Sequence, residues 1–122
     1  MPSESYGFPK RYRLNRPGEY SRVLRTARVR RNRGPLRILA VANTMPGARL
    51  GLIIGKRAVR RAHERNMLKR VAREAFRAAR GYLPAVDVVL HLRGPMGRRE
   101  LRSMLEEEFG AMAGTAGGAP GS

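Results

Sequence analysis

Apolar residues recur along this chain with two different periods, and the changes between them divide it into elements. Tyr20, Val23, Leu24 and Ala27 repeat at helical spacing behind Pro17, a residue that suits a first turn, so a helix of about ten residues is predicted from there. Leu36 to Ala42 (LRILAVA) and Arg49 to Ile54 (RLGLII) are short apolar runs bounded by Pro35, by Asn43-Thr44-Met45-Pro46-Gly47 and by Gly55. Their length favours strands, joined by a hairpin turn at 43 to 48 as antiparallel neighbours. Val86 to Leu92 (VDVVLHL), stopped by Arg93-Gly94-Pro95, is another strand. Leu101, Met104, Leu105 and Phe109 form the stripe of a last helix over residues 98 to 109.

The longest periodic stretch lies between the second and third of these runs. With Leu68 at zero on a wheel of about 100° per residue, Val71, Ala72, Ala75, Phe76 and Ala79 share its side and form the buried stripe. Lys69, Arg70, Arg73, Arg77 and Arg80 cluster on the opposite side, with Asn66 in their midst. Gly81 is expected to end the helix as a C′ glycine. From Lys56 to Arg80 ten basic residues face only Glu64 and Glu74. Like charges four residues apart, such as Arg65, Lys69, Arg73 and Arg77, each cost a few tenths of a kcal/mol, so an anionic partner is expected to offset them.

Three stretches lack such a period. Residues 1 to 12 read as a flexible N-terminal arm, in which Tyr6, Phe8 and Tyr12 sit among cations, placed either to stack on bases or to pack on the core. Residues 28 to 34 carry Arg28, Arg30, Arg31 and Arg33 with no acid and read as a basic edge or turn. Residues 111 to 122, rich in Gly and Ala, read as a disordered tail, leaving one domain over 13 to 110. Glu106, Glu107 and Glu108 are the one acidic cluster, most simply a solvated face.

Composition sharpens the reading. The 122 residues hold 26 Lys plus Arg against 9 Asp plus Glu, a formal net charge of +17. A polyanion is the natural partner, and because arginine far outnumbers lysine, nucleic acid leads: the guanidinium fork suits phosphate oxygens and base edges. The absence of cysteine removes disulfides and thiolate chemistry. The two histidines, His63 and His91, have no metal-ligand spacing, and the few acids are scattered, so no protein-borne hydrolytic site is expected. No apolar run reaches the roughly 20 residues of a membrane span, and the N-terminus lacks the apolar centre of a secretory signal, which points to the cytoplasm.

The segment Arg65-Asn66-Met67-Leu68-Lys69-Arg70-Val71-Ala72-Arg73-Glu74 resembles the central helix of the bacterial ribonuclease P protein subunits. The likeness extends to Phe8-Pro9 before Arg13-Leu14, the Tyr20 helix, Leu50-Gly51-Leu52 running into Lys56-Arg57, and Leu83-Pro84 before Asp87-Val88-Val89, so it covers about residues 8 to 109. Met67 stands where that pattern has its second arginine, which predicts a weakened RNA contact. The resemblance implies an α+β fold, a small two-layer sandwich of helices on a mixed four-stranded sheet. Its order is α-β-β-β-α-β-α with a left-handed βαβ crossover, like the second domain of a small-subunit ribosomal protein.

The resemblance also implies a division of labour. The catalyst is an RNA that holds the magnesium ions and cuts precursor tRNA to leave the mature 5′ end, with about one protein per RNA subunit. Lys56, Arg57, Arg65, Asn66, Lys69, Arg70 and Arg73 would bind that RNA, Asn66 being available also to an ordered metal ion. Tyr20, in a cleft between the first helix and the sheet, would stack on the single-stranded 5′ leader. The face that the strand at 36 to 42 turns to the leader, Leu36-Ile38-Ala40 or Arg37-Leu39-Val41, is open. An RNA-binding assembly factor without a leader cleft is the alternative, and a cationic membrane binder a more distant one.

Overall fold

The computed structural model describes residues 8–118. Helix α1 (Pro17–Thr26) is followed by strands β1 (Val29–Arg33), β2 (Leu36–Ala42) and β3 (Arg49–Ile54), then by helix α2 (Ala62–Ala79), strand β4 (Val86–Leu92) and helix α3 (Arg98–Gly118). The order is the expected α-β-β-β-α-β-α, and the sheet is mixed and four-stranded.

The strands lie in the order β1-β2-β4-β3. β4 pairs antiparallel with β2 and parallel with β3, so β2 and β3 are not the hydrogen-bonded neighbours that the hairpin reading predicts. The reason is that β3, α2 and β4 form one crossover unit whose returning strand enters between them; the connection after β2 passes over the start of β4, where the Asn43 N–H donates to the Ala85 carbonyl at 2.9 Å. The hairpin of this fold is instead β1–β2, paired from Val29↔Ala40 to Arg33↔Leu36. Its two-residue turn is Gly34-Pro35, and Gly34 has φ +59°, the conformation a tight hairpin needs at its first central position.

Strand alternation sends Leu36, Ile38 and Ala40, with Val88, Leu90 and Leu92, into the main core, where they meet Leu68, Val71, Ala72 and Phe76 of α2 and Leu101, Leu105 and Phe109 of α3. On the other face Leu39 and Val89 pack with Val23 of α1 and Leu14. The Arg37-Leu39-Val41 set therefore faces the α1 side, which fixes the register that the sequence leaves open.

The ends of the domain differ from expectation. Phe8 is buried against Phe76, with ring centroids 5.8 Å apart, and Tyr12 packs on the same core, so the arm is anchored there through its aromatic residues; Tyr6 lies outside the described residues. Gly81 is not a left-handed cap, since the chain leaves α2 through a 3-10 turn at Arg80–Tyr82 and Gly34 is the only positive-φ glycine among the described residues. α3 continues to Gly118 instead of stopping at 109, and Met112 and Ala113 add to the main core. Residues 119–122 of the predicted tail lie outside the described residues.

The acidic cluster is not merely solvated. Glu108 is buried and takes both Arg31 (3.2 Å) and Arg33, while Glu107 takes Arg33 at 2.8 Å. These pairs fasten the arginine-rich edge strand β1 to α3.

Candidate nucleic-acid interface

Helix α2 sorts its polar residues into three directions. Lys69 and Arg73 turn toward the N-terminal segment and α1, where they line a cleft of about 220 Å³ together with Arg13, Leu14, Tyr20 and Leu52. Asn66, Arg70 and Arg77 point outward and are exposed. Met67 and Glu74 face α3, which sends Arg98 to the Met67 sulfur (3.9 Å) and Arg102 to Glu74 (3.3 Å).

The cleft sits at the β3 edge of the sheet. Beside that edge the chain at Arg13 forms a parallel bridge to Leu50, and the Leu14 N–H donates to the Leu50 carbonyl at 3.0 Å. Tyr20 reaches the cleft because α1 is pinned at its start: Glu19 Oε1 accepts from the backbone N–H of Asn15 (2.6 Å) and Arg16 (3.1 Å), and its Oε2 accepts from Arg49 (3.1 Å). The Tyr20 ring lies over Gly51, so closely that a Cβ there would fall 2.6 Å from Cε2. Only glycine allows this approach. The expected cleft between first helix and sheet is thus bounded also by α2, with Lys69 and Arg73 forming one wall.

Its electrostatics are one-sided. No carboxylate lines the cleft. Burial, and then the neighbouring Arg13 guanidinium, push Arg73 below its usual range, which means that two cations are held together without an anion between them. The Arg13 Nε is buried and has no hydrogen-bond partner, although a buried donor is normally satisfied. Two guanidiniums, an ammonium and an aromatic ring in one concavity can take a phosphate and a stacked base.

The remaining predicted residues divide. Lys56 and Arg57 are exposed in the turn before α2, near its N-terminal end. Arg65 is turned inward to that turn, donating to the carbonyls of Val59 (2.9 Å) and Arg60 (3.1 Å), so it supports the loop that presents them. The cleft thus gathers Tyr20, Lys69 and Arg73, while Asn66 and Arg70 lie on the adjacent outward surface. Arg13 is a cleft residue that the sequence reading passes over. The available signal was a cation between Tyr12 and Leu14, inside a segment able to pack on the core.

The two histidines sit in different environments. His63 is exposed at the start of α2. His91 is half-buried on β4, opposite Arg37 of β2, and burial followed by the charges of Arg37 and Arg93 lowers its pKa. Among the described residues no three acidic or histidine side chains lie close enough to hold a metal ion, and no helix is long and apolar enough to cross a membrane.

Comparison with known proteins gives a consistent answer. The family model described as Ribonuclease P matches residues 8–116. A ribonuclease P protein component from Bordetella avium is 39% identical over 113 residues, covering 86% of this chain and 94% of the relative. One from Methylococcus capsulatus is 37% identical over 95 residues, covering 78% and 73%. Among solved structures, the RNase P protein of Staphylococcus aureus superposes with a TM-score of 0.71 at 23% identity, covering 79% of this chain and 90% of that one. That of Thermotoga maritima does so with 0.64 at 24% identity, covering 77% and 97%. These two likenesses concern the fold.

Proposed function

The chain belongs to the ribonuclease P protein family, and from that premise we propose that it grips two RNAs with two faces of α2. It is the protein component of an endoribonuclease and partners an RNA subunit. In our reading the RNA subunit lies against the outward surface of Asn66 and Arg70, continued by Lys56 and Arg57, through phosphate contacts. The single-stranded 5′ leader of precursor tRNA enters the cleft, where Lys69, Arg73 and Arg13 take phosphate and Tyr20 stacks on a base. One protein per RNA subunit is sufficient, because each face is present once.

The observation that supports this reading best is the cleft itself: three cations and a tyrosine converge there with no carboxylate, and the Arg13 Nε is left without a partner. A bound phosphate would offset the Arg13 charge that, after burial, depresses Arg73.

The chemistry belongs to the RNA. Magnesium is its ion, held mainly by the RNA subunit. The protein's contribution is electrostatic. Neutralising phosphates that repel across the RNA–substrate junction lowers the magnesium that the RNA requires, and contacts to the leader favour precursor over product. Mature tRNA has no leader and departs.

The test is cleavage of a precursor tRNA by a bacterial ribonuclease P RNA at low magnesium, with and without the protein. Cleavage at the mature 5′ end only with protein present is expected, with tighter binding of precursor than of mature tRNA. Binding of the RNA without rescue of low-magnesium cleavage would move the assignment to an assembly factor.

A further inference from the structure

A second concavity adjoins the leader cleft. A groove of about 520 Å³ opens between the 3-10 turn at Lys10–Tyr12, the β2–β3 connection and the end of α2. Lys10, Arg11, Arg13 and Arg80 line it, and Met45 and Pro46 supply an apolar wall. Arg49 also borders it but is held by Asp87 and Glu19. No carboxylate lines this groove, and Lys10, Arg11, Arg13 and Arg80 form no ion pair among the described residues.

Two features tie the groove to the cleft. Arg13 lines both, so they share a wall. Arg80 keeps helical backbone dihedrals just beyond Ala79, and on the helical wheel it falls in the same arc as Lys69 and Arg73. Those three cations therefore run along one side of α2 for roughly 16 Å, from the cleft to the groove. Arg80 is also fixed in place: its Nε donates to the Ala48 carbonyl at 2.8 Å, its guanidinium lies 3.8 Å from the Tyr12 ring centroid, and Gly47 abuts its other atoms so closely that a Cβ would stand 2.6 Å from Nη2. A charge immobilised in this way costs little further ordering when an anion arrives.

We propose that this groove is a second subsite for single-stranded RNA, taking leader nucleotides farther from the cleavage point than those held at Tyr20. The proposal rests on the leader reading of the cleft. An apolar wall facing a row of cations matches a nucleotide, whose base is apolar on its face and whose phosphate is anionic. Continuity with the cleft makes the same strand the occupant.

The experiment measures affinity of the reconstituted holoenzyme for precursor tRNAs of graded leader length, at several salt concentrations. The variant is Lys10→Ala/Arg11→Ala, whose side chains are exposed and outside the core. For the unaltered protein, affinity is expected to go on rising after the leader has filled the cleft. The double variant is expected to lose that extra gain, several-fold in affinity and about one unit of salt slope per phosphate contact removed, while short-leader substrate binds as before. Arg80→Ala should act in the same direction.

Equal loss with short and long leaders would overturn the subsite and assign these cations to the RNA subunit. Equal affinity of the unaltered protein for both leader lengths would overturn it as well. Failure of the underlying reading looks different: a short leader would then give no advantage over mature tRNA.

Discussion

Arg98 of α3 places its guanidinium Nη1 3.9 Å from the thioether sulfur of Met67 in α2. The flank of α2 that carries Met67 thus has a cation beside it, delivered by a different helix. Met67→Arg would add a second guanidinium at this spot. We expect tighter binding of the RNA subunit, with the salt slope steeper by about one unit, and a small loss of stability from repulsion by Arg98. RNA titrations over a range of salt concentrations measure this. An unchanged slope would show that the flank looks away from the RNA.

Gly51 is the floor beneath Tyr20. Gly51→Ala puts a methyl group 2.6 Å from the ring, which must swing away. Stacking is worth about 1 to 3 kcal/mol per base, so the preference for precursor over mature tRNA should fall at least several-fold, as in Tyr20→Ala. Binding of the RNA subunit should be retained. A preserved preference would remove Tyr20 from the leader site.

Asp87 is buried at the start of β4, bonded to Arg49 through both oxygens at 2.9 Å, to Asn43 at 2.8 Å and to Arg22 at 3.4 Å. Asp87 also holds the Arg49 guanidinium above its usual pKa range. Asp87→Ala leaves that arginine with Glu19 as its one remaining carboxylate in a half-buried site, and should cost about 1 to 3 kcal/mol. Urea denaturation reads the loss directly; an unchanged midpoint would mean that the network contributes nothing to stability.

Acid should destabilise the protein in two stages. His91 has its pKa lowered from 6.5 by burial and then by Arg37 and Arg93, so the unfolded chain takes up this proton first and stability declines as pH falls below about 6.5. Burial alone would raise the Glu19 carboxyl, but the N–H groups of Asn15 and Arg16 and the Arg49 guanidinium outweigh it and hold the pKa below 4.5. Its contribution is therefore present above that pH and lost as pH falls through the lower folded value. His91→Gln should flatten the first stage and leave the second, as followed by melting temperature in buffers without multivalent anions. A first stage that survives His91→Gln would assign it to another group.

What was legible in the sequence were the elements with a clear apolar period. Leu36–Ala42, Arg49–Ile54 and Val86–Leu92 are strands with the expected bounds, and Pro17–Thr26 is the expected ten-residue helix. Strand β1 was hidden because an edge strand needs few apolar residues: four of its five side chains are exposed, and it is held by backbone pairing with β2 and by Glu107 and Glu108, far away in sequence. The wrong neighbour for β3 arose from a local rule applied to a long-range event, since nothing between Asn43 and Ala48 announces that a later strand will intervene. The wheel brought Lys69 and Arg73 together, but whether a cation faces solvent or a carbonyl depends on loop geometry, which is why Arg65 turns inward unannounced.

The place of β4 in the sheet has a consequence for how the chain comes into being. β2 and β3 both precede it in sequence, yet each finds its partner in β4. During synthesis the β1–β2 hairpin can close early, while β3 and the apolar stripe of α2 emerge with no sheet to rest on. The basic helix is therefore exposed to the RNA-rich surroundings of the ribosome before its own core exists, and native closure waits on residues 86 to 92.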